Sequence, residues 1–101
     1  AHAEMQAFTS ASEFLGGKHL NQCTLYVTLE PCPMCAGAAF WTRVGRIVYG
    51  ASDEKRGFQR WGTHAEQRLV HPKTVVDGGI LKEECSSLIQ SFFAAKRKKL
   101  T

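Results

Sequence analysis

Features that would place this chain among membrane or secreted proteins are missing from its sequence. Its 101 residues contain no apolar run long enough to cross a bilayer, which argues against a membrane-spanning helix. The first residues are polar and already suit a helix, so no signal peptide is predicted. There is no repeat, low-complexity segment or linker, and the length allows one domain with a modest core. The chain also lacks an initiator methionine, and we expect this single domain, residues 1–101, to be incomplete at its N-terminus.

The four cysteines are unevenly placed. Cys32 and Cys35 lie three residues apart, whereas Cys23 and Cys85 are isolated. This spacing is a poor framework for disulfides. It favours a reducing cytosol, with thiolates bound to a metal, over secretion.

Charge of neither sign dominates the sequence. The 13 basic and 9 acidic residues give a net charge of +4, which is compatible with a nucleic-acid partner but does not specify one. The basic run Lys96–Lys99 lies near the end of the chain. It suits either contact with phosphates or a solvated helix end that the helix dipole favours.

The hydrophobic pattern predicts strands alternating with helices. Apolar residues recur at three- and four-residue steps in the helical segments, and β-branched and aromatic residues mark the strands. The predicted elements are a helix over 2–15, strands over 23–29, 46–49 and 74–76, helices over 33–43 and 81–99, and an irregular stretch with a helical turn over 51–72. This order predicts an α/β layer sandwich with parallel crossovers. In the predicted sheet, the first strand lies at an edge and has no strand paired with its outer side.

Two short stretches carry residue types that suit a catalytic metal. His2 and Glu4 open the first helix, and Cys32 and Cys35 open the second. One imidazole and two thiols are ligands of zinc type, and a catalytic zinc keeps a fourth position for water. The remaining carboxylate suits proton transfer beside that water. We expect both helix N-termini to face one metal at the carboxyl ends of the strands, with the helix dipole lowering the thiol pKa values.

Other interpretations of these residues stay open. A Cys-x-x-Cys pair before a helix also suits redox chemistry, although that chemistry needs no companion His-x-Glu. A closed structural zinc site would need a fourth ligand, for which Cys23 or His19 is available. A second His-Ala-Glu at 64–66 is followed by no Cys-x-x-Cys, and we expect it, like His19 and His71, to lie in a surface loop.

The motifs resemble those of the cytidine deaminase-like superfamily, and most of all its bacterial tRNA-specific (wobble) adenosine deaminases. The matching segments are residues 2–5 (HAEM), 28–38 (TLEPCPMCAGA), 49–57 (YGASDEKRG) and 79–93. The resemblance implies a three-layer α/β/α sandwich with a mostly parallel sheet, here truncated at the N-terminus. It also implies that the protein forms a homodimer and binds the anticodon stem-loop of tRNA.

The expected reaction is hydrolytic deamination of adenosine to inosine. Zn²⁺ held by His2, Cys32 and Cys35 would convert a bound water into the attacking hydroxide. Glu4 would transfer the protons of that water to the substrate. The backbone N–H of Cys32 is placed to stabilise the developing oxyanion. By resemblance, the backbone at Ala3 holds the flipped base. The alternatives are deamination of a free base or nucleoside, of guanine or cytosine type, and a non-catalytic zinc-binding fragment.

Further substrate contacts are implied by the resemblance alone. It places Asp53 and Lys55 near the flipped nucleotide, and Phe92 or Phe93 near the pocket. Helical spacing gives the competing expectation that at least one of these phenylalanines belongs to the core. The apolar stripe that predicts this burial comprises Leu81, Cys85, Leu88, Ile89 and Phe92.

Overall fold

The elements follow the predicted order closely. The computed structural model describes residues 2–17, 19–61 and 69–100. They form α1 (Ala3–Phe14), β1 (Thr24–Leu29), α2 (Pro33–Thr42), β2 (Arg46–Ala51), a 3₁₀ turn (Phe58–Trp61), β3 (Val75–Asp77) and α3 (Lys82–Leu100). Each bound of a predicted helix or strand falls within two residues of the observed one. The second His-Ala-Glu, at 64–66, and the side chains of Lys96–Lys99 lie outside what the structure describes.

The three strands form one parallel sheet in the order β1-β2-β3. Thr24 lies opposite Arg46, which in turn lies opposite Val75. Across the described ranges no strand pairs with the outer side of β1, so this strand is the predicted sheet edge. The parallel arrangement brings the carboxyl ends of all three strands to one side of the molecule.

One face of the sheet packs against α1 and α2. Leu25 of β1 and Ile47 of β2 are buried there with Phe8 of α1 and Ala36 and Ala39 of α2. The small alanine side chains allow α2 to approach the sheet closely. This buried apolar cluster is the core of the domain, and hydrophobic burial of this kind is the main force that stabilises it.

The opposite face of the sheet packs against α3. Helix α3 lies so close to Gly50 of β2 that a Cβ atom at this position would overlap the side chain of Cys85. The backbone N–H of Ile80 also donates to the carbonyl of Tyr49, just before α3 begins. Helices therefore cover both faces, and the fold is a three-layer α/β/α sandwich of cytidine deaminase-like type. None of the described helices is long and apolar enough to cross a membrane.

The helix ends that shape the site follow local sequence rules. Pro33 occupies the first position of α2, where its missing N–H costs no hydrogen bond, and the extended Cys32 is the N-cap residue. His2 is the extended N-cap residue of α1. After α1, Gly16 and Gly17 adopt positive φ angles of 68° and 80°, as predicted for a glycine helix stop.

The prediction that Phe92 or Phe93 belongs to the core is wrong, although Cys85 and Ile89 of the same stripe are half-buried. Leu81, Leu88 and Phe92 are more than half exposed, and so is Phe93. A periodic stripe defines one face of a helix, but burial needs a surface on which that face can pack. Helix α3 packs on β2 and β1, and the described sheet ends at β1.

Candidate metal centre and pocket

Two helix beginnings bring three potential metal ligands together. Nδ1 of His2 lies 3.5 Å from Sγ of Cys32 and 3.5 Å from Sγ of Cys35. The three ligand atoms all lie within 4.8 Å of one another. Cys32 precedes α2 and Cys35 is its third residue, so a single helical turn presents both thiols on one side.

The spacing and chemistry of these donors fit zinc. Bonds of about 2.3 Å to sulfur and 2.0 Å to nitrogen, at a tetrahedral angle, would hold the nitrogen and sulfur atoms ~3.5 Å apart. Both observed nitrogen–sulfur distances have this value. Among the described residues, no fourth His, Cys, Asp or Glu joins the group. Cys23, the candidate fourth ligand, packs against the apolar core instead.

The Cys35 thiol has a strongly perturbed pKa at this centre. Burial, a hydrogen bond with the Cys32 thiol and the charge of Glu4 together raise the pKa of the Cys35 thiol to about 12. This direction is opposite to the one predicted from the helix dipole, because burial and nearby acidic groups outweigh the dipole. A bound dication reverses this balance, since a coordinating thiol loses its proton outright.

Glu4 lies beside the three ligands without belonging to their cluster. Its carboxylate is close enough to hydrogen-bond the Cys35 thiol, and the residue is half-buried. It shares the lining of one pocket with His2. A carboxylate in this position is available to exchange protons with a molecule bound at the metal.

A pocket of about 630 Å³ opens at the carboxyl end of β1. Its lining residues are His2, Ala3, Glu4, Tyr26, Val27, Thr28, Leu29, Glu30, Cys32, Asp53, Arg56 and Phe93. Three of the sequence-derived substrate residues, Ala3, Cys32 and Asp53, are among them. Lys55 and Phe92 are exposed and do not line it, whereas Phe93 does.

Six lining residues were not proposed as site residues from the sequence, and Glu30, Arg56 and Tyr26 are three of them. Glu30 directly precedes the Pro31-Cys32 pair, Arg56 lies inside the segment that carried the resemblance, and Tyr26 lies on the edge strand. The sequence could have indicated Glu30 and Arg56 as site residues only through their positions, beside the cysteine motif and inside the segment 49–57. Tyr26 alternates with core residues along β1, and alternation alone indicates only that it faces away from them.

A sandwich built on a parallel sheet, with His, Cys and Cys gathered at two helix beginnings where they could hold a metal, defines a nucleobase-deaminase type of site. The chain belongs to the MafB19-like deaminase family, whose model matches residues 1–97.

Several relatives of this chain are named tRNA-specific adenosine deaminases. The chain is 48% identical to the tRNA-specific adenosine deaminase of Bacillus subtilis (strain 168) over 103 aligned positions, which cover 98% of this chain and 62% of that protein. It is 41% identical to the tRNA-specific adenosine deaminase of Haemophilus influenzae, covering 97% of this chain and 57% of that one.

A solved structure shares the fold. It comes from biochemical and structural studies of A-to-I editing by tRNA:A34 deaminases at the wobble position of transfer RNA. It matches with a TM-score of 0.72 and 39% identity over 86% of this chain and 64% of that one. The chain thus most resembles bacterial tRNA-specific adenosine deaminases, and it spans roughly three fifths of the length of these curated relatives.

Proposed function

We propose that this chain catalyses zinc-dependent hydrolytic deamination of adenosine to inosine in a tRNA anticodon loop. The observation that carries the proposal is the cluster of His2, Cys32 and Cys35, with Glu4 beside it in the same pocket. The names of the relatives supply the substrate class. When bound by these three residues, zinc would supply the Lewis acidity that makes water a competent nucleophile near neutral pH.

Glu4 would carry the protons of the reaction. Its carboxylate would accept a proton from the attacking water and deliver it to the ring nitrogen beside the reacting carbon. The water oxygen bonds to that carbon, and Glu4 then takes the remaining proton of the added hydroxyl and passes it to the leaving amine. The carbon–nitrogen bond breaks, so that ammonia and inosine are formed. The N–H of Cys32, at the start of α2, would stabilise the oxygen as it gains charge.

The pocket rim supports an RNA substrate over a free base. Tyr26 and Phe93 both line the pocket, yet they are 75% and 53% exposed. Exposed aromatic faces next to a catalytic pocket suit stacking of the unpaired bases that flank a flipped nucleotide. Among the described residues, Arg56 is the single Lys or Arg side chain in the pocket lining, where it would contact a phosphate or a base.

The remaining parts of the proposal are a homodimer and a cytoplasmic location. Met34 and Trp41 of α2 are 55% and 79% exposed, which leaves apolar surface that a second copy could cover. All four cysteines are free, which suits a reducing compartment. Solution mass as a function of concentration tests the dimer, and a monomer at all concentrations would contradict it.

Turnover on matched substrates tests the function. The zinc-loaded chain is given an anticodon stem-loop RNA with adenosine at the wobble position, and separately free adenine, guanine and cytosine. Inosine in the RNA is measured by mass spectrometry and ammonia by its release. We expect deamination of the stem-loop alone. Turnover of a free base alone would favour the small-molecule alternative, and zinc binding with no turnover would favour a non-catalytic module.

A further inference from the structure

Glu30 is a buried carboxylate between the end of β1 and the metal-ligand segment. Only 6% of the residue is exposed. Its Oε1 accepts a hydrogen bond from the backbone N–H of Asp53 at 3.1 Å, and its Oε2 accepts one from the N–H of Gln59 at 3.0 Å. Burying a carboxylate is costly unless both oxygens are satisfied. Here the satisfying groups all come from one loop, the segment 52–59.

The loop is folded around this carboxylate. Asp53 closes the turn, because its Oδ1 accepts the N–H groups of Lys55 and Arg56 and its carbonyl accepts the N–H of Gly57. At Gly57 a Cβ atom would overlap the Glu30 carboxyl. Glycine at this position therefore gives the carboxylate room to reach both N–H groups.

The same loop forms part of the pocket. Asp53 and Arg56 line it, as does Glu30 itself. The N–H of Phe58 also donates to the carbonyl of Pro31 at 2.9 Å, directly before the ligand Cys32. The strand end that leads into the metal centre is thus joined to the loop by two side-chain and one main-chain hydrogen bonds.

We propose that Glu30 is a positioning residue for the deamination reaction, which holds the loop 52–59 at a set distance from the metal centre so that Asp53 and Arg56 meet the substrate. This inference rests on the proposed function and deepens it. Glu30 acts through the loop and touches neither the metal nor the reacting atoms.

Both oxygens of the side chain are needed for this role. A glutamine has the same shape but only one accepting oxygen, so it would turn an NH₂ group toward either the Asp53 or the Gln59 N–H. Glu30→Gln therefore breaks one of the two hydrogen bonds while keeping the packing. Glu13→Gln, on the exposed surface of α1, is the matched control.

Three measurements on the zinc-loaded chain test the proposal. In Glu30→Gln we expect an unchanged zinc content, faster amide hydrogen exchange at Asp53 and Gln59, and a KM for the stem-loop RNA raised roughly tenfold or more, with a smaller change in kcat. Glu13→Gln should match wild type in all three. Unchanged exchange at both amides overturns the proposal, and so does an unchanged KM. Loss of zinc in Glu30→Gln also overturns it, because Glu30 would then support the metal centre directly.

Gly57→Ala tests the same contact without changing a charge. We expect it to raise KM as Glu30→Gln does, and we expect the double variant to be little worse than either single one, because both changes disrupt one interaction. Additive effects would contradict a shared contact. If wild type deaminates no RNA, the proposed function fails, whereas exchange at Asp53 and Gln59 still decides whether Glu30 holds the loop.

Discussion

Nδ1 of His2 lies 3.5 Å from Sγ of Cys35, although 33 residues separate them along the chain. The contact depends on two helices that begin at the same side of the molecule. His2 is the N-cap residue of α1, and Cys35 lies in the first turn of α2. Three donors of zinc type therefore meet at one place.

Removing a ligand should remove the metal. We expect Cys35→Ser to lose zinc, as measured by metal analysis after gel filtration. Zinc at 100 times its dissociation constant should stabilise wild type by about 2.7 kcal/mol, and Cys35→Ser should lose this stabilisation. Cys23→Ser and His19→Ala serve as controls and should keep the metal. Loss of zinc in either control would instead indicate a closed site with a fourth protein ligand.

Glu4 should be needed for turnover and not for metal binding. In Glu4→Gln we expect kcat to fall by about 10²- to 10⁴-fold, because the amide cannot carry protons. Zinc content should stay at the wild-type level, since Glu4 lies outside the ligand cluster. Wild-type kcat in a zinc-loaded Glu4→Gln protein would refute its role in proton transfer.

Tyr49 should make folding stability depend on pH in the alkaline range. Burial and the charge of Glu30 raise the pKa of Tyr49 above its ordinary value of 10.0. The folded chain then keeps the phenol proton where the unfolded chain has lost it, so this contribution to stability is complete below pH ~10 and declines as the pH rises through the folded-state pKa.

The sequence contains two tyrosines, so a Tyr26→Phe protein reports on Tyr49 alone. Its tyrosinate absorbance should appear with a midpoint above pH 10.0. Adding Glu30→Gln should lower that midpoint part of the way, because the negative charge is removed while burial, the larger cause, remains. A midpoint that does not respond to Glu30→Gln would contradict the contribution of its charge.

Arg56 should contribute to RNA binding through charge. We expect Arg56→Ala to weaken binding of the stem-loop RNA and to reduce the slope of log K against log salt by about 1. Arg43→Ala is the matched control, because Arg43 caps the opposite end of α2, ~15 Å along the helix from its first residue. Equal losses in the two variants would indicate a diffuse electrostatic effect with no specific role for Arg56.

Phe93 should matter more than Phe92 for RNA affinity. The two rings contact each other edge-on, but only Phe93 lines the pocket. If a base stacks there, Phe93→Ala should cost about 1–3 kcal/mol of binding free energy, and Phe92→Ala clearly less. Fluorescence titration with labelled RNA measures both, with Phe14→Ala on the exposed end of α1 as a control. A larger loss in Phe92→Ala would reverse the assignment.

The order of elements could be predicted from the sequence because its causes are local. Pro33 opens α2, Gly16 and Gly17 follow α1, and β-branched and aromatic residues mark β1, whatever lies around them. The grouping of His2, Cys32 and Cys35 was also predicted, from motifs that place one ligand set at the beginnings of two helices. The substrate contacts proposed for these and neighbouring residues stay predictions.

Only the tertiary structure decided which side of each helix or strand meets the pocket and which residues surround it. Phe92 and Phe93 are adjacent in α3, yet they point about 100° apart, and only packing determines which of the two meets the pocket. Leu81, Leu88 and Phe92 of the stripe on α3 are exposed because burial depends on a neighbouring surface that periodicity does not encode. Glu30 is buried because a loop more than twenty residues further along supplies its hydrogen-bond donors, and no local pattern carries that information.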